Sequence, residues 1–428
     1  MKLDTKHMRY LTSEDWKVLT AVENGSRNHE VVPTKLIAQL SGFGGGGSGV
    51  HRSISALAKV GLIARQKNAR YEGYRLTYGG LDYLALHTHR QRRDVYSVGN
   101  QIGVGKESDI FVVADDAGRQ RVLKIHRLGR ISFRTVKANR DYLRHRPGGS
   151  WMYMSRLAAV KEFAFMRALR DTGFPVPEPL AQSRHTIVMS LIDAFPMRQI
   201  SAVPDPSSLY AELISMILRL AQHGLIHGDF NEFNILIRED TAVAAPKNSD
   251  AEVPAVRSLT PILIDFPQMV SVDHVNAEMY FDRDVNCIKR FFQRRFHFTP
   301  VETGPSFADA RKVVGKDGVP RLDVEVEASG FSKKMAKELE AYMQSVGVDG
   351  DGEPGAARGE DEEDLQEEDQ DDSEEQGGSH DGSDGEEDDG QEEDHFTPAS
   401  EIEPASGRKY NFGNTEDGVA QLSLKEKT

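Results

Sequence analysis

Three polar residues hold the chemistry that this chain's residue types most readily allow. Asp229 and Asn234 stand five apart in Ile226-His227-Gly228-Asp229-Phe230-Asn231-Glu232-Phe233-Asn234-Ile235-Leu236, on a turn that enters an apolar strand. Asp265 closes a second apolar run, Ile262-Leu263-Ile264-Asp265-Phe266. Hard oxygen ligands and one positioned carboxylate in this order are what kinase-type phosphoryl transfer needs. Asp229 would be the catalytic base that orients or deprotonates the acceptor, and Asn234 and Asp265 would hold Mg2+ against the nucleotide phosphates.

Such a site also needs a cradle for the nucleotide, and the residues upstream fit one. The run from Val98 to Val113 reads strand, Gly-rich turn, strand, with Gly103 and Gly105 lacking the Cβ that would keep backbone away from phosphates. Lys106, Glu107 and Ser108 complete the turn; Lys106 adds a positive charge, and Ser108 stands where a G-x-G-x-x-G loop has its third glycine. In Val122-Leu123-Lys124-Ile125 a lysine lies mid-strand among apolar residues, where an unpaired ammonium is costly to bury. Nucleotide phosphates and a helix carboxylate supply its partners in kinases, and Glu162, on the apolar-periodic run Ala159 to Met166, is the candidate. Each residue alone has an ordinary reading: a glycine hairpin, a lysine reaching solvent, a solvated helix charge. Their order along the chain favours the nucleotide site. The apolar strand Ile187 to Ile192 then reads as the hinge, with backbone at Ser190 to Ile192 meeting the adenine edge and Met189 lining the pocket behind it.

Several positions depart from an ordinary protein kinase. Gly228 stands where many carry an arginine before the catalytic Asp, which removes a partner for an activation-loop phosphate. Pro267 follows Phe266 and restricts the backbone after the metal-site Asp. No Ala-Pro-Glu segment appears, and little chain remains to build a peptide-binding subdomain. His227 reads as a structural histidine. Asp282 or Asp284, early in the helical run Met279 to Phe292, could accept bonds from the amides of the catalytic turn.

The elements that must position these residues fall into blocks. The chain has 428 residues, 38% of them apolar, enough for more than one core. Its net charge of −14 conceals an asymmetry: residues 349–396 hold 24 Asp or Glu and one Arg, a net of −23, so the other 380 residues sum to +9. The expected fold class is α+β. A winged helix-turn-helix over residues 1–92 precedes a truncated two-lobed kinase-like fold, with an N-lobe over 95–192 and a C-lobe over 193–300. A C-terminal extension over 301–347 carries an amphipathic helix from Phe331 to Val346, and residues 348–428 form an acidic tail too poor in large apolar groups to fold. The single cysteine, Cys287, excludes an intrachain disulfide and suits a reducing compartment. The N-terminus lacks the apolar core of a secretory signal, and no apolar run is long enough to span a bilayer. The expectation is a monomer of the cytosol that also passes through the nucleus.

In the first block, Pro33 to Leu40 and Gly49 to Val60 read as two helices, and Leu62 to Arg65 with Tyr74 to Thr77 as the strands of a wing. A second helix of this kind presents its face to a nucleic-acid groove, here with Ser48, His51, Arg52 and Ser55, and the wing would offer Arg65, Lys67 and Arg70 to the backbone. The same module also serves as a protein-interaction surface. A basic stretch, 127–146, interrupts the small lobe with Arg127, Arg130, Arg134, Lys137, Arg140 and further arginines; it reads either as a solvated insertion or as a surface for phosphate, on nucleotide or RNA.

Taken together, these motifs resemble the RIO family of atypical kinases, in the subfamily with an N-terminal winged helix. The resemblance rests on Tyr71 to Leu86, Gly103-Val104-Gly105-Lys106-Glu107-Ser108, Leu123-Lys124-Ile125-His126-Arg127-Leu128-Gly129-Arg130, His227 to Asn234 and Ile264-Asp265-Phe266-Pro267-Gln268, and covers about residues 1 to 345. It implies an ATP- and Mg2+-dependent serine/threonine kinase and ATPase that acts in maturation of the small (40S) ribosomal subunit. The partner it implies is the pre-40S particle, through rRNA, ribosomal proteins or assembly factors. It also makes Asp265 a candidate for accepting phosphate transiently, and it assigns no function to the glycine tract 42–49 or the span 238–258. Two other readings share the motifs: a small-molecule phosphotransferase of the aminoglycoside or choline kinase type, and an rRNA-binding scaffold gated by nucleotide.

Overall fold

The computed structural model describes residues 3–42, 48–66, 72–128, 151–241, 257–302, 304–328 and 333–345. The first helix, α1 (Ser13–Gly25), starts with a capping box: the Thr12 hydroxyl accepts from the Asp15 amide, and the Asp15 carboxylate accepts from the Thr12 amide. Helices α2 (Thr34–Ser41) and α3 (Ser48–Lys59) follow, and strands β1 (Val32–Pro33), β2 (Ile63–Gln66) and β3 (Gly73–Leu76) form an antiparallel sheet in the order β1-β3-β2. Helix α4 (Tyr78–Gln91), capped by the Thr77 hydroxyl, closes the unit. The two helices and two wing strands read from the sequence are therefore present, while α1, α4 and β1 go beyond that reading. Their faces close one apolar cluster through Val18, Leu19, Ile37, Ile54, Leu57 and Leu84. Ser48, His51, Arg52 and Ser55 stay exposed on α3. Arg65 is exposed but paired with Glu72 at 2.8 Å, and Lys67 and Arg70 lie outside the described residues.

The next unit is a five-stranded antiparallel sheet in the order β4-β5-β6-β8-β7, from β4 (Ser97–Val104), β5 (Ser108–Ala114), β6 (Gln120–His126), β7 (Pro179–Ser183) and β8 (Thr186–Ser190). Alternation in β5 buries Asp109, Phe111 and Val113 on one face, whereas β6 is buried from Leu123 to His126 on both. The long helix α5 (Trp151–Asp171) packs against β6, β7 and β8. Leu86 of α4 enters the same apolar cluster as Phe111, Leu123, Ile125 and Val188, so the winged unit and the small lobe share a core.

The larger lobe begins with β9 (Phe195–Pro196) and α6 (Pro206–Gln222); Asp205 caps α6, and Pro206 sits at its first position, where no intrahelical donor is needed. Strands β10 (Leu225–Ile226) and β13 (Val270–Ser271) pair, and β11 (Ile235–Thr241) lies between β12 (Arg257–Leu263) and β9. The ends of the span 238–258 are thus ladder residues: Arg238 faces Thr260, and Asp240 faces Ser258. Within that span only 242–256 lie outside the described residues. Helices α7 (Ala277–Phe296), α8 (Phe307–Val313), α9 (Leu322–Ala328) and α10 (Lys333–Ser345) complete the lobe. Leu322, Val326, Leu339 and Met343 join the main apolar cluster, which also holds Met154, Leu157 and Phe165 of α5 and so spans both lobes; the expected amphipathic helix thus packs back on the body. Phe331 and the acidic tail lie outside the described residues, and none of the described helices is long and apolar enough to cross a membrane.

Candidate active site

The two lobes bring the sequence-read residues to one cleft. Lys124, in the middle of β6, is nearly fully buried, and its ammonium donates to Glu162 of α5 at 2.7 Å and to Asp265 at 2.6 Å. The Glu162 partner was legible in the sequence; the Asp265 contact, which closes the triangle, spans 141 residues and was not. Burial alone would drive the ammonium neutral, but the charges of Asp265 and Glu162 outweigh it and hold the lysine protonated, above its ordinary range. Burial likewise opposes the Glu162 charge, and Lys124 with His126, whose Nε2 lies 2.8 Å away, pulls that carboxyl down to about 2.

Asp229 lies on the turn between β10 and β11. Its Oδ1 accepts from the Asn231 side chain and its Oδ2 from Asn234 Nδ2, each at 2.7 Å. Asn234 Nδ2 also donates to the Asp229 carbonyl, which commits the amino end of the side chain to Asp229 and turns its oxygen the other way. Burial, reinforced by the charges of Asp265 and Asp284, pushes the Asp229 carboxyl up to about 7, where a base can both hold and release a proton near neutrality. Beneath the turn, Asp284 of α7 accepts from the Gly228 and Phe230 amides, both at 2.9 Å. Of the two acidic candidates on that helix, Asp284 takes this role and Asp282 is exposed. Burial raises Asp284 to about 7 despite those bonds.

Gly228 has φ +78°, and a Cβ there would meet the Gln268 carbonyl at 2.8 Å, so both conformation and space demand glycine. Arg283 donates to the Gly228 carbonyl and lies near Gln268, joining α7 to both loops. Asp265 follows β12 in the left-handed region at φ +71°, strained for a non-glycine residue, and the Ile264 amide bonds the Asn234 carbonyl at 3.0 Å. Pro267 is the second residue of a turn closed by the Met269 amide on the Phe266 carbonyl. His227 is buried, accepts from the Asp229 amide on Nδ1, and is pushed down to about 4 by burial, the structural role read for it.

Gly105, Lys106 and Glu107 form the β4–β5 connection, with Gly103 near the end of β4 and Ser108 opening β5, and the Gly105 amide bonds the Ser108 carbonyl at 2.7 Å. Met189 is buried on β8. The hinge differs from the expectation at one atom set: the Ser190 amide donates to the Glu178 carbonyl and its hydroxyl accepts from the Glu178 amide, so these groups face away from a base. Ile192 lies two residues beyond β8, on the connection to β9. A larger correction concerns Arg127, read as the first cation of an exposed basic stretch. It is one of the largest fully buried side chains among the described residues, bonded to Asp82 and Asp109. Residues 129–150 lie outside the described residues.

One neutral amide oxygen and one carboxylate fit Mg2+, which takes one or two protein oxygens and completes its shell with water and phosphate. Asp265, with a side chain 40% exposed, and Asn234 have that donor chemistry. Among the described residues there is no cluster of three or more His, Cys, Asp or Glu placed to hold a metal ion.

Comparison with known proteins decides the family. A RIO domain matches residues 109–245 and 255–303, and a Rio2 N-terminal domain matches 8–92. The serine/threonine-protein kinase rio2 of Schizosaccharomyces pombe is 54% identical over 344 residues, covering 80% of this chain and 93% of that protein. The chain belongs to the RIO2 family of atypical serine/threonine kinases. The RIO2 protein of Saccharomyces cerevisiae is 49% identical over 360 residues, covering 81% of this chain and 82% of its own. Among solved structures, the Rio2 kinase-ADP/Mg2+-phosphoaspartate complex from Chaetomium thermophilum matches at a TM-score of 0.73 and 71% identity, covering 81% of this chain and 99% of that one. RIO2 membership selects the RIO-type kinase over the small-molecule phosphotransferase that shares the His-Gly-Asp arrangement.

Proposed function

We propose that this RIO2 chain is an ATP- and Mg2+-dependent kinase and ATPase that acts in maturation of the small ribosomal subunit. The observation that carries the phosphoryl-transfer reading is the Lys124 ammonium held between Glu162 and Asp265 in the cleft that also contains Asp229 and Asn234. Lys124 would bond the α- and β-phosphates, Asn234 and Asp265 would hold Mg2+, and the loop from Gly103 to Ser108 would cover the phosphates. The adenine edge would meet the Ser190 carbonyl and the Ile192 amide. Asp229 would orient an attacking hydroxyl or water and take its proton.

The metal supplies charge neutralisation on the phosphates; the chain supplies position. Asn231 and Asn234 hold the Asp229 carboxylate, and Asp284 holds the turn beneath it. The relative from Chaetomium thermophilum, with its phosphoaspartate, supports Asp265 as a transient acceptor of the γ-phosphoryl group, with water completing hydrolysis. Exposed Ser48, His51, Arg52 and Ser55 on α3 and the basic body support an rRNA-containing particle as partner, in the cytosol and in transit through the nucleus. The test is sedimentation of wild type and Asp229→Ala with small-subunit precursors. The variant is expected to accumulate on the particles because it binds nucleotide but does not turn it over; equal distribution of both proteins between free and particle fractions would remove the ribosomal reading.

A further inference from the structure

Arg127 begins three residues after Lys124 and is held at four points by three segments. Its backbone amide donates to the Glu107 carbonyl, in the Gly-rich loop, at 2.5 Å. Its Nε donates to Asp109, just past that loop, at 3.1 Å. Its Nη1 and Nη2 donate in parallel to the two oxygens of Asp82 on α4, each at 2.7 Å. Asp82 also receives His185 Nε2 at 2.8 Å from the turn between β7 and β8. Arg127 and Asp109 side chains are 1% exposed and Asp82 4%, so water does not share these bonds.

We propose that Asp82, acting through Arg127, is a positioning residue for the Gly-rich loop, so that the winged-helix unit is a working part of the nucleotide site. This rests on the reading that the loop covers the nucleotide phosphates. A bidentate guanidinium–carboxylate pair fixes both distance and plane. Without the Asp82 charge, the buried guanidinium must seek another anion or water, and every route moves Asp109 or the Glu107 carbonyl, to which it is also bonded. Asp109 pairs with Val104 across the β4–β5 ladder, so both feet of the loop move with it. The Gly105–Ser108 bond fixes the tip. Placement of the loop over the phosphates is therefore set not only by the β4–β5–β6 ladder and the Gln101–Asp109 bond inside the small lobe but also from outside it, by a side chain of α4. Any ligand that shifts α4 would change nucleotide affinity, and nucleotide would change affinity for that ligand by the same factor.

The experiment uses the full chain with Asp82→Asn and Asp82→Glu, below the unfolding temperature. Hydrogen exchange at amides 103–109 is read without nucleotide, and ADP–Mg2+ affinity by calorimetry. Asp82→Asn is expected to speed loop exchange and weaken ADP–Mg2+ about tenfold, leaving exchange in the β11–β12 hairpin unchanged; Asp82→Glu, which keeps the charge, is expected to recover part of both. Arg127→Lys gives the same readout if Asp82→Asn does not fold, because an ammonium cannot hold both carboxylates in one plane. A lowered melting temperature with wild-type loop exchange and affinity would overturn the proposal. Lys124→Ala separates the underlying reading: if it leaves ADP–Mg2+ binding intact while Asp82→Asn still loosens the loop, the nucleotide assignment fails and the mechanical tie stands.

Discussion

Asp229→Asn is expected to slow Mg2+-dependent phosphoryl transfer by about 10²–10⁴-fold while making the nucleotide-free protein more tolerant of alkaline pH. The rate loss follows from removing the base. Asparagine keeps one acceptor for Asn231 or Asn234, so the turn persists, but it cannot take a proton. The stability effect follows from the carboxyl's raised value of about 7 against an ordinary 3.8, caused by burial and then by the charges of Asp265 and Asp284. A carboxyl raised on folding contributes stability that is fully present below its unfolded value and is lost as pH rises through about 7. The variant is spared that loss. Its melting temperature relative to wild type should therefore climb by several degrees, roughly 2–5 °C, between pH 5 and pH 8, measured by calorimetry in EDTA. A difference that stays flat with pH would show that Asp229 is not the strained carboxyl.

Asp284→Ala is expected to do more damage to the fold than any other single change near the cleft. It removes the acceptor of two buried amides, Gly228 and Phe230, each of which costs about 1–3 kcal/mol if left without a partner. Relief of a buried carboxylate that burial has already raised to about 7 offsets part of this above neutral pH. The net loss should be about 2–4 kcal/mol, read from urea unfolding. Turnover should fall by two orders of magnitude or more, because the same amides set the position of Asp229, and small misplacements of a reacting group are costly. Asp284→Asn, with one acceptor, should fall between. If Asp284→Ala were as stable and active as wild type, the view of α7 as the support of the catalytic turn would be wrong.

Legibility of these features in the sequence depended on locality. That Asp229, Asn234 and Asp265 meet in one cleft was readable because the roles proposed for them require a fixed spacing or a fixed strand end. Lys124 was readable because an ammonium inside an apolar strand is an energetic problem that names its own solution. The sharing of Lys124 with Asp265 was not readable, since it depends on how far the lobes close, and no local pattern encodes that. Arg127 was misread for the same reason: next to Arg130, Arg134 and Lys137 it looks like the start of a solvated run, and only the placement of Asp82 and Asp109 shows that its burial is compensated. Conversely, Asp284 and Asp282 are equivalent in composition, and helical phase alone decides that Asp284 faces the turn. The winged helix was legible from its turn signals. Its shared core with the small lobe, through Leu86, came only from packing.

The central claim is that this cleft carries out Mg2+-dependent phosphoryl transfer with Asp265 at the phosphate. Its most direct measurement is a single turnover with γ-phosphate-labelled ATP, quenched in acid, for wild type and Asp265→Asn, with label on the protein counted before and after hydroxylamine. The account predicts Mg2+-dependent label on wild type that hydroxylamine removes, as it does an acyl phosphate, and no such label on Asp265→Asn. Equal, hydroxylamine-sensitive labelling and equal ATP turnover in the two proteins would contradict it.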